Sequence, residues 1–146
     1  MKHQPAARHS AFYWRDGYQQ QIDWTNGKRA ALSRIKTAKE LVAGPLKSKL
    51  KTVLVGDLNS GPALPKAEDI PPYAAVAAAG FVPLRTKKLS CCFNDDLKSG
   101  KWDHNIDWIM AKPKVKLVRS WLMGTEKTAK GVYPADHGAV ISTLRF

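Results

Sequence analysis

An apolar run, Val53-Leu54-Val55, ends abruptly in Gly56-Asp57-Leu58-Asn59. A carboxylate and an amide therefore leave the end of a strand two residues apart, on the same side of it. A second acid sits inside Asn105-Ile106-Asp107-Trp108-Ile109-Met110. A third, Asp136, precedes His137 just ahead of the apolar Ala139-Val140-Ile141. Strand-associated acids, an amide and an imidazole are the parts of a metal-assisted phosphoester hydrolase. That reaction needs an activated water, neutralised charge on the phosphoryl oxygens and help for the leaving oxygen. Carboxylate and amide oxygens are hard ligands, which suit magnesium, manganese or calcium rather than zinc.

Each residue has a role it could fill. Asp57 could orient the attacking water while Asn59 holds a phosphate oxygen or a metal-bound group. Asp136 offers a metal ligand beside His137. Asp107 could accept a hydrogen bond from His137, fixing its tautomer and favouring its charged form. Singly, each also has a plain structural reading. An Asp after Gly is a common turn former, an Asp-His pair before a strand is a common loop contact, and a lone acid in an apolar strand can face solvent. The specificity lies in the ordered combination.

The remaining composition narrows the partners. With 146 residues, the chain is long enough for one domain with a modest core. Hydrophobic residues make up 44%, which suits a globular fold and argues against wholesale disorder. Lys and Arg number 24 against 12 Asp and Glu, a net charge of +12. Such a field favours polyanions, with nucleic acid or another phosphodiester foremost. The two cysteines, Cys91 and Cys92, are adjacent and match no zinc pattern; they read as two small strand residues, one facing each way. No apolar stretch is long enough to span a membrane. The N-terminal residues lack the apolar segment of a secretory signal, and the compartment is not legible.

Several elements must position these groups. Residues 1 to about 25 show no clean period and read as a loop-rich segment. Its aromatics, Phe12, Tyr13, Trp14, Tyr18 and Trp24, serve either as anchors on a core or as a stacking surface for bases. Thr25 or Asn26 can cap a helix carrying Ala31, Leu32, Ile35, Ala38 and Val42 at helical spacing, stopped by Gly44-Pro45. Residues 51–55 read as the buried strand that delivers Asp57. A proline-rich loop follows, then an alanine-rich helix starting near Pro71-Pro72 and ending at Gly80. Short strands are expected at 81–84 and 89–93, a polar loop at 94–103, and further strands near 105–111, 114–123 and 138–145. This is a mixed α/β layered fold, with helices covering a sheet.

Taken in order, Gly56-Asp57-Leu58-Asn59-Ser60, Asn105-Ile106-Asp107-Trp108-Ile109 and Ala135-Asp136-His137-Gly138-Ala139-Val140 resemble the endonuclease/exonuclease/phosphatase superfamily. The resemblance covers residues from about 28 to 146 and fits the C-terminal half of such proteins. It implies a layered α/β sandwich of the deoxyribonuclease-I-like type, lacking its N-terminal half, so that 1–146 is a single partial domain. It also implies divalent-metal-dependent phosphoester cleavage, with Mg2+, or Mn2+ or Ca2+, as cofactor. By motif, Asp57 and Asn59 position nucleophile and phosphate, Asp57 and Asp136 face the metal, Asp107 pairs with His137, and His137 acts on the phosphate or as base. Cys91-Cys92-Phe93 followed by Asn94-Asp95-Asp96-Leu97 is similar to bacterial members.

The departures are specific. Members are roughly twice this long, and their first half supplies an Asn-bearing strand, a metal-binding Glu and a further His. Here the only glutamates are Glu40, Glu68 and Glu126, none in an apolar strand; His3 and His9 follow no strand, and Ala135 replaces the usual Ser. The expected function is therefore a nuclease-like phosphodiester hydrolase, inactive if it works only as this half. Another chain supplying the missing part is one expected partner. The rival readings are a phosphatase or phospholipid phosphodiesterase of the same superfamily, a non-catalytic basic nucleic-acid-binding fragment, and an inactive truncation.

Overall fold

The computed structural model describes residues 10–13, 27–94 and 96–146. The aromatics Trp14, Tyr18 and Trp24, and the cap candidates Thr25 and Asn26, lie outside them.

Helix α1 (Gly27–Ala43) forms where the apolar spacing places it. Ala31 and Ala38 are buried, and Leu41 and Val42 pack on the core, whereas Leu32 faces solvent. The Gly44 N–H donates to the Glu40 carbonyl at 2.9 Å, and Pro45 opens a short 3-10 turn that buries Leu46. Helix α2 (Pro71–Ala78) starts on its prolines as expected. Gly80, at φ +87°, reverses the chain after it. The Lys112 ammonium donates to the Ala79 carbonyl at 3.0 Å, satisfying one open acceptor at that end.

Among the described residues, eight strands accompany the helices: β1 (Ser10–Tyr13), β2 (Thr52–Asp57), β3 (Val82–Pro83), β4 (Cys91–Phe93), β5 (Gly100–His104), β6 (Asp107–Lys112), β7 (Lys116–Met123) and β8 (Ala139–Arg145). The main sheet has the order β1-β2-β6-β3, with β1 parallel to β2 and β6 antiparallel to both β2 and β3. β4 pairs with β5, and β7 with β8, in two-stranded antiparallel sheets.

Alternation along β2 and β6 sorts the sheet into two faces. Leu54, Trp108 and Met110 meet Leu46, Val76 and Phe81 beneath the helices. Val53, Ile109 and Ala111 belong to a second cluster with Leu84, Val115 and Leu144 of β8. The expected layered α/β architecture is thus present, with helices on one side of the sheet and β8 on the other.

Two expectations need correction. Ser10–Tyr13 is a strand within a segment expected to be loop. Gly100–His104 is also a strand, although residues 94–103 read as a polar loop. Its side chains are mostly exposed, so it carries no apolar period to detect. Its pairing with β4 forms it.

Candidate functional site

The register of β2 and β6 places Asp57 directly opposite Asp107, the last pair of their ladder. Both side chains therefore leave the same face at the same end. His137 precedes β8 and is bridged to β4 at Cys91. One ligand atom from each of Asp57, Asp107 and His137 falls within a sphere where all lie within 4.8 Å of one another. His137 Nδ1 lies 3.0 Å from both Asp107 oxygens. Its Nε2 lies 3.9 Å from Asp136 Oδ2, on an exposed side chain. The Asn59 backbone N–H donates to Asp57 Oδ1 at 2.6 Å and its side-chain amide to Oδ2 at 3.1 Å. Asn59 takes φ +45°, a left-handed conformation that Asn tolerates well. The structure therefore brings Asp57, Asn59, Asp107 and His137 together, whereas Asp136, expected as a metal ligand, reaches only the far side of the imidazole and does not join the Asp57 cluster. Beside it, a hollow of about 280 Å³ is lined by Val55, Gly56, Asp57, Asp107, Trp108, Ile109 and Val140.

The electrostatics follow from this crowding. Burial pushes the Asp57 carboxyl up, and the negative charge of Asp107 pushes it further. The Asn59 N–H, His137 and Arg34 oppose this without overcoming it. The hydrogen bond to Asp107 raises His137 above the usual imidazole value despite partial burial, helped by the charges of Asp107, Asp57 and Asp136.

A buried cation holds the group in place, and sequence reasoning missed it. Arg85 is 8% exposed. Its guanidinium donates to the backbone carbonyl of Asp107, to Ser90 Oγ at 3.3 Å, Asn105 Oδ1 at 2.9 Å, the Lys88 carbonyl at 2.6 Å and the Thr86 carbonyl at 2.8 Å. The Ser90 hydroxyl in turn donates to Asp107 Oδ2 at 2.6 Å. Asp107 is thus oriented by Ser90 on one oxygen while both oxygens face His137. The signal for Arg85 was a charge embedded at the end of the apolar Phe81-Val82-Pro83-Leu84 run; Ser90 carried none.

The loop after Asn59 is pinned as firmly. The Trp108 indole N–H donates to the Ser60 carbonyl at 2.6 Å, and the buried Ser60 hydroxyl accepts the Tyr73 N–H at 2.8 Å. A Cβ on Gly61 would meet the Asn105 carbonyl at 2.3 Å, so only glycine lets this loop lie against the start of β6.

Cys91 and Cys92 are bonded to each other as a vicinal disulfide across a cis peptide bond. They do not face opposite ways as expected. A register shift between Cys91 and Phe93 breaks the alternation of β4 there, and both sulfurs turn to His137. Further along, Asp96 accepts the N–H groups of Lys98 and Ser99 and the Ser99 hydroxyl, which hold its carboxyl below the usual range. It fastens a loop away from the group.

The donors suit a hard divalent cation. Two carboxylates face each other, and burial with mutual repulsion raises Asp57; a cation would relieve both. Arg34, the basic residue whose charge reaches Asp57, is itself paired with Asp69. No glutamate joins the group among the described side chains.

No protein-family model matches the sequence, and no curated protein matches it. Solved structures do resemble the fold. One is a humanized D. rerio TDP2, at 19% identity and TM-score 0.55, covering 82% of this chain and 51% of that one. Another is a mannosyl-6-phosphatase from Bacteroides thetaiotaomicron, at 20% identity and TM-score 0.50, covering 86% and 48%. A third is an endonuclease/exonuclease/phosphatase from Beutenbergia cavernae, at 17% identity and TM-score 0.50, covering 76% and 31%. This chain thus spans about half or less of each. At these identities the likeness is one of fold: the chain has the layered α/β architecture of part of each of these structures.

Proposed function

We propose that this chain is the histidine-bearing part of a divalent-metal-dependent phosphodiester hydrolase acting on nucleic acid. The observation that carries the reading is the juxtaposition of Asp57, Asp107 and His137 at paired strand ends, with Asp107 holding the imidazole. Asp57 is the carboxylate of the cluster not taken up by the His137–Asp107 pair and would hold Mg2+, with the exposed Asp136 beyond His137 as a further acid; the ion would supply charge neutralisation at the phosphate. A raised Asp57 carboxyl sits nearer a working pH and orients the attacking water. The Asn59 amide holds a phosphoryl oxygen. Protonated His137, steadied by Asp107, donates to the phosphoryl group and offsets charge as the bond to the leaving oxygen lengthens. The net charge of +12 draws a polyanion to the site. A D. rerio TDP2 structure of this fold is complexed with single strand DNA product, which supports nucleic acid as substrate.

The test is Mg2+-dependent cleavage of single-stranded DNA. His137→Asn and Asp57→Asn are each expected to lower it by about 100-fold or more. Hydrolysis of a sugar phosphate with DNA left intact would move the substrate to the phosphatase class, a reading favoured by the mannosyl-6-phosphatase of the same fold. DNA binding that survives chelator and both substitutions, with no cleavage, would overturn the enzyme reading and leave a basic binding module.

A further inference from the structure

The β7–β8 hairpin is a two-stranded sheet of its own, held to the rest of the fold by one face. Ser142 Oγ donates to the Leu84 carbonyl, Ser120 Oγ accepts the Thr86 N–H, and Leu144 packs on Leu84, Ala111 and Val115. β8 has a neighbour at its start, where the Gly138 N–H donates to the Ser90 carbonyl at 2.7 Å. β7 has none: among the described residues its backbone pairs with β8 alone. Its outer edge therefore presents unpaired N–H and C=O groups along a strand of eight residues.

The side chains along this edge define what would fit it. Lys116, Leu117, Val118 and Arg119 are all exposed, two apolar residues between two cations. Leu117 is 38% exposed, Val118 58% and Met123 54%. Val118 falls within the register shift between Leu117 and Arg119 and has no β8 residue opposite it. Arg119 lies 4.9 Å from the centre of the Trp121 ring and donates to Thr143 Oγ1 at 3.3 Å, on the face opposite Ser120 and Ser142. Residues 113–123 and 139–145 hold Lys114, Lys116, Arg119 and Arg145, and no Asp or Glu. Cations and a register shift are also the means by which an edge strand is kept solitary. Here they exclude one class of partner only. A second copy of this chain brings the same cations and is repelled, whereas an acidic strand is attracted. Nucleic acid would satisfy the cations but leave the open backbone groups and the exposed Leu117, Val118 and Met123 unmatched.

We propose that the free edge of β7 is a docking site for an extended, acidic segment of another polypeptide, which joins the hairpin as a third strand. The added strand pairs with the outward N–H and C=O groups of Lys116–Met123. It sets acidic side chains against Lys116 and Arg119 and apolar ones against Leu117 and Val118. None of these residues belongs to the Asp57, Asp107 and His137 cluster, so the docking site does not rest on the hydrolase reading.

The probe is a fluorescein-labelled peptide of alternating Glu and Val, matched in length to β7 and added to the full chain at physiological salt. Fluorescence anisotropy gives its affinity, and amide hydrogen exchange followed by NMR gives its position. The expected result is saturable binding that slows exchange at alternate amides of β7, the pattern of a strand added to an edge. Lys116→Glu combined with Arg119→Glu weakens binding by about tenfold or more, and Val118→Asp does so by a similar factor. Lys36→Glu combined with Lys39→Glu, the same change of charge at exposed positions of α1, leaves the affinity within about twofold. Far-UV circular dichroism verifies that each variant is folded. No binding by the folded chain would overturn the proposal. Equal weakening by the two double variants would also overturn it, since net charge alone would then hold the peptide. So would equal affinity for a peptide of the same charge interrupted by prolines, which cannot form the ladder. Protection of the same amides by single-stranded DNA, or by self-association of the chain, would overturn it in favour of a nucleic-acid surface or an interface between copies.

Discussion

The shared proton of His137 and Asp107 sets how the site responds to pH. The hydrogen bond to Asp107 raises His137, so the folded chain holds its imidazolium through a range where the unfolded chain has lost it. This stabilisation is complete below the ordinary imidazole value and vanishes as pH rises through the raised one. The proposed hydrolysis, which needs the imidazolium, is expected to fall along the same alkaline limb. Asp107→Asn is expected to shift that limb to lower pH, measured as kcat/KM against pH with wild type alongside. Asp57 is raised too, by burial first and by Asp107 next. Its contribution is therefore fully present below the ordinary carboxylate value and lost as pH climbs through the raised one. At neutral pH the ionised carboxylate weakens the metal-free fold. Asp57→Asn should raise the thermal midpoint in chelator at pH 7. A lower midpoint would show that the carboxylate stabilises the fold instead. Asp57, Asn59, Asp107, Asp136 and His137 were legible because polar groups interrupt apolar runs. Ser90 was not, since a serine in a loop reads as solvent-facing until Asp107 is placed against it.

At the scale of elements, the site depends on two rigid supports rather than on the strands alone. Arg85 ties the loop 86–90, Asn105 and the Asp107 backbone into one unit. It is tied in turn to the outer hairpin, where the Thr86 N–H donates to Ser120 Oγ at 2.8 Å and Ser142 Oγ donates to the Leu84 carbonyl at 2.7 Å. Arg85→Ala leaves several buried acceptors unmatched and should cost about 3 kcal/mol by denaturant melt. Arg85→Lys should recover only part, because a single ammonium cannot span the same fork of acceptors. Gly61→Ala should cost about 2 kcal/mol and loosen the Asn59 loop, since the new methyl meets a backbone carbonyl that cannot step aside. α1, β2 and α2 could be read from periodicity, glycine and proline. β5 could not, because Lys101, Trp102, Asp103 and His104 show no continuous apolar face and owe their extension to β4.

At the scale of the whole molecule, charge and chain closure matter most. The net charge of +12 predicts that affinity for single-stranded DNA falls linearly on logarithmic axes as salt rises, with a slope of about −0.7 per neutralised phosphate. A shallow slope, near that of a single contact, would speak against a polyanion as partner; fluorescence anisotropy across a salt series measures it. The layered fold was legible in outline because periodicity marks a helix, a strand, a second helix and then a run of strands. The order of the main sheet was not, because the apolar pattern of β2 does not reveal which strand will lie beside it.

The cross-strand pair Asp57–Asp107 closes the β2–β6 ladder. Side chains in a strand alternate, so sliding one strand past the other by a single residue would send one of these carboxylates to the helical side. Inserting one residue inside β6, between Asp107 and Ile109, should thus abolish the proposed divalent binding while leaving both acids in the chain. The cation would then serve as a sensor of correct zipping: a midpoint that climbs with Mg2+ marks molecules whose distant segments have joined in the native alignment, and a flat response marks those that have not.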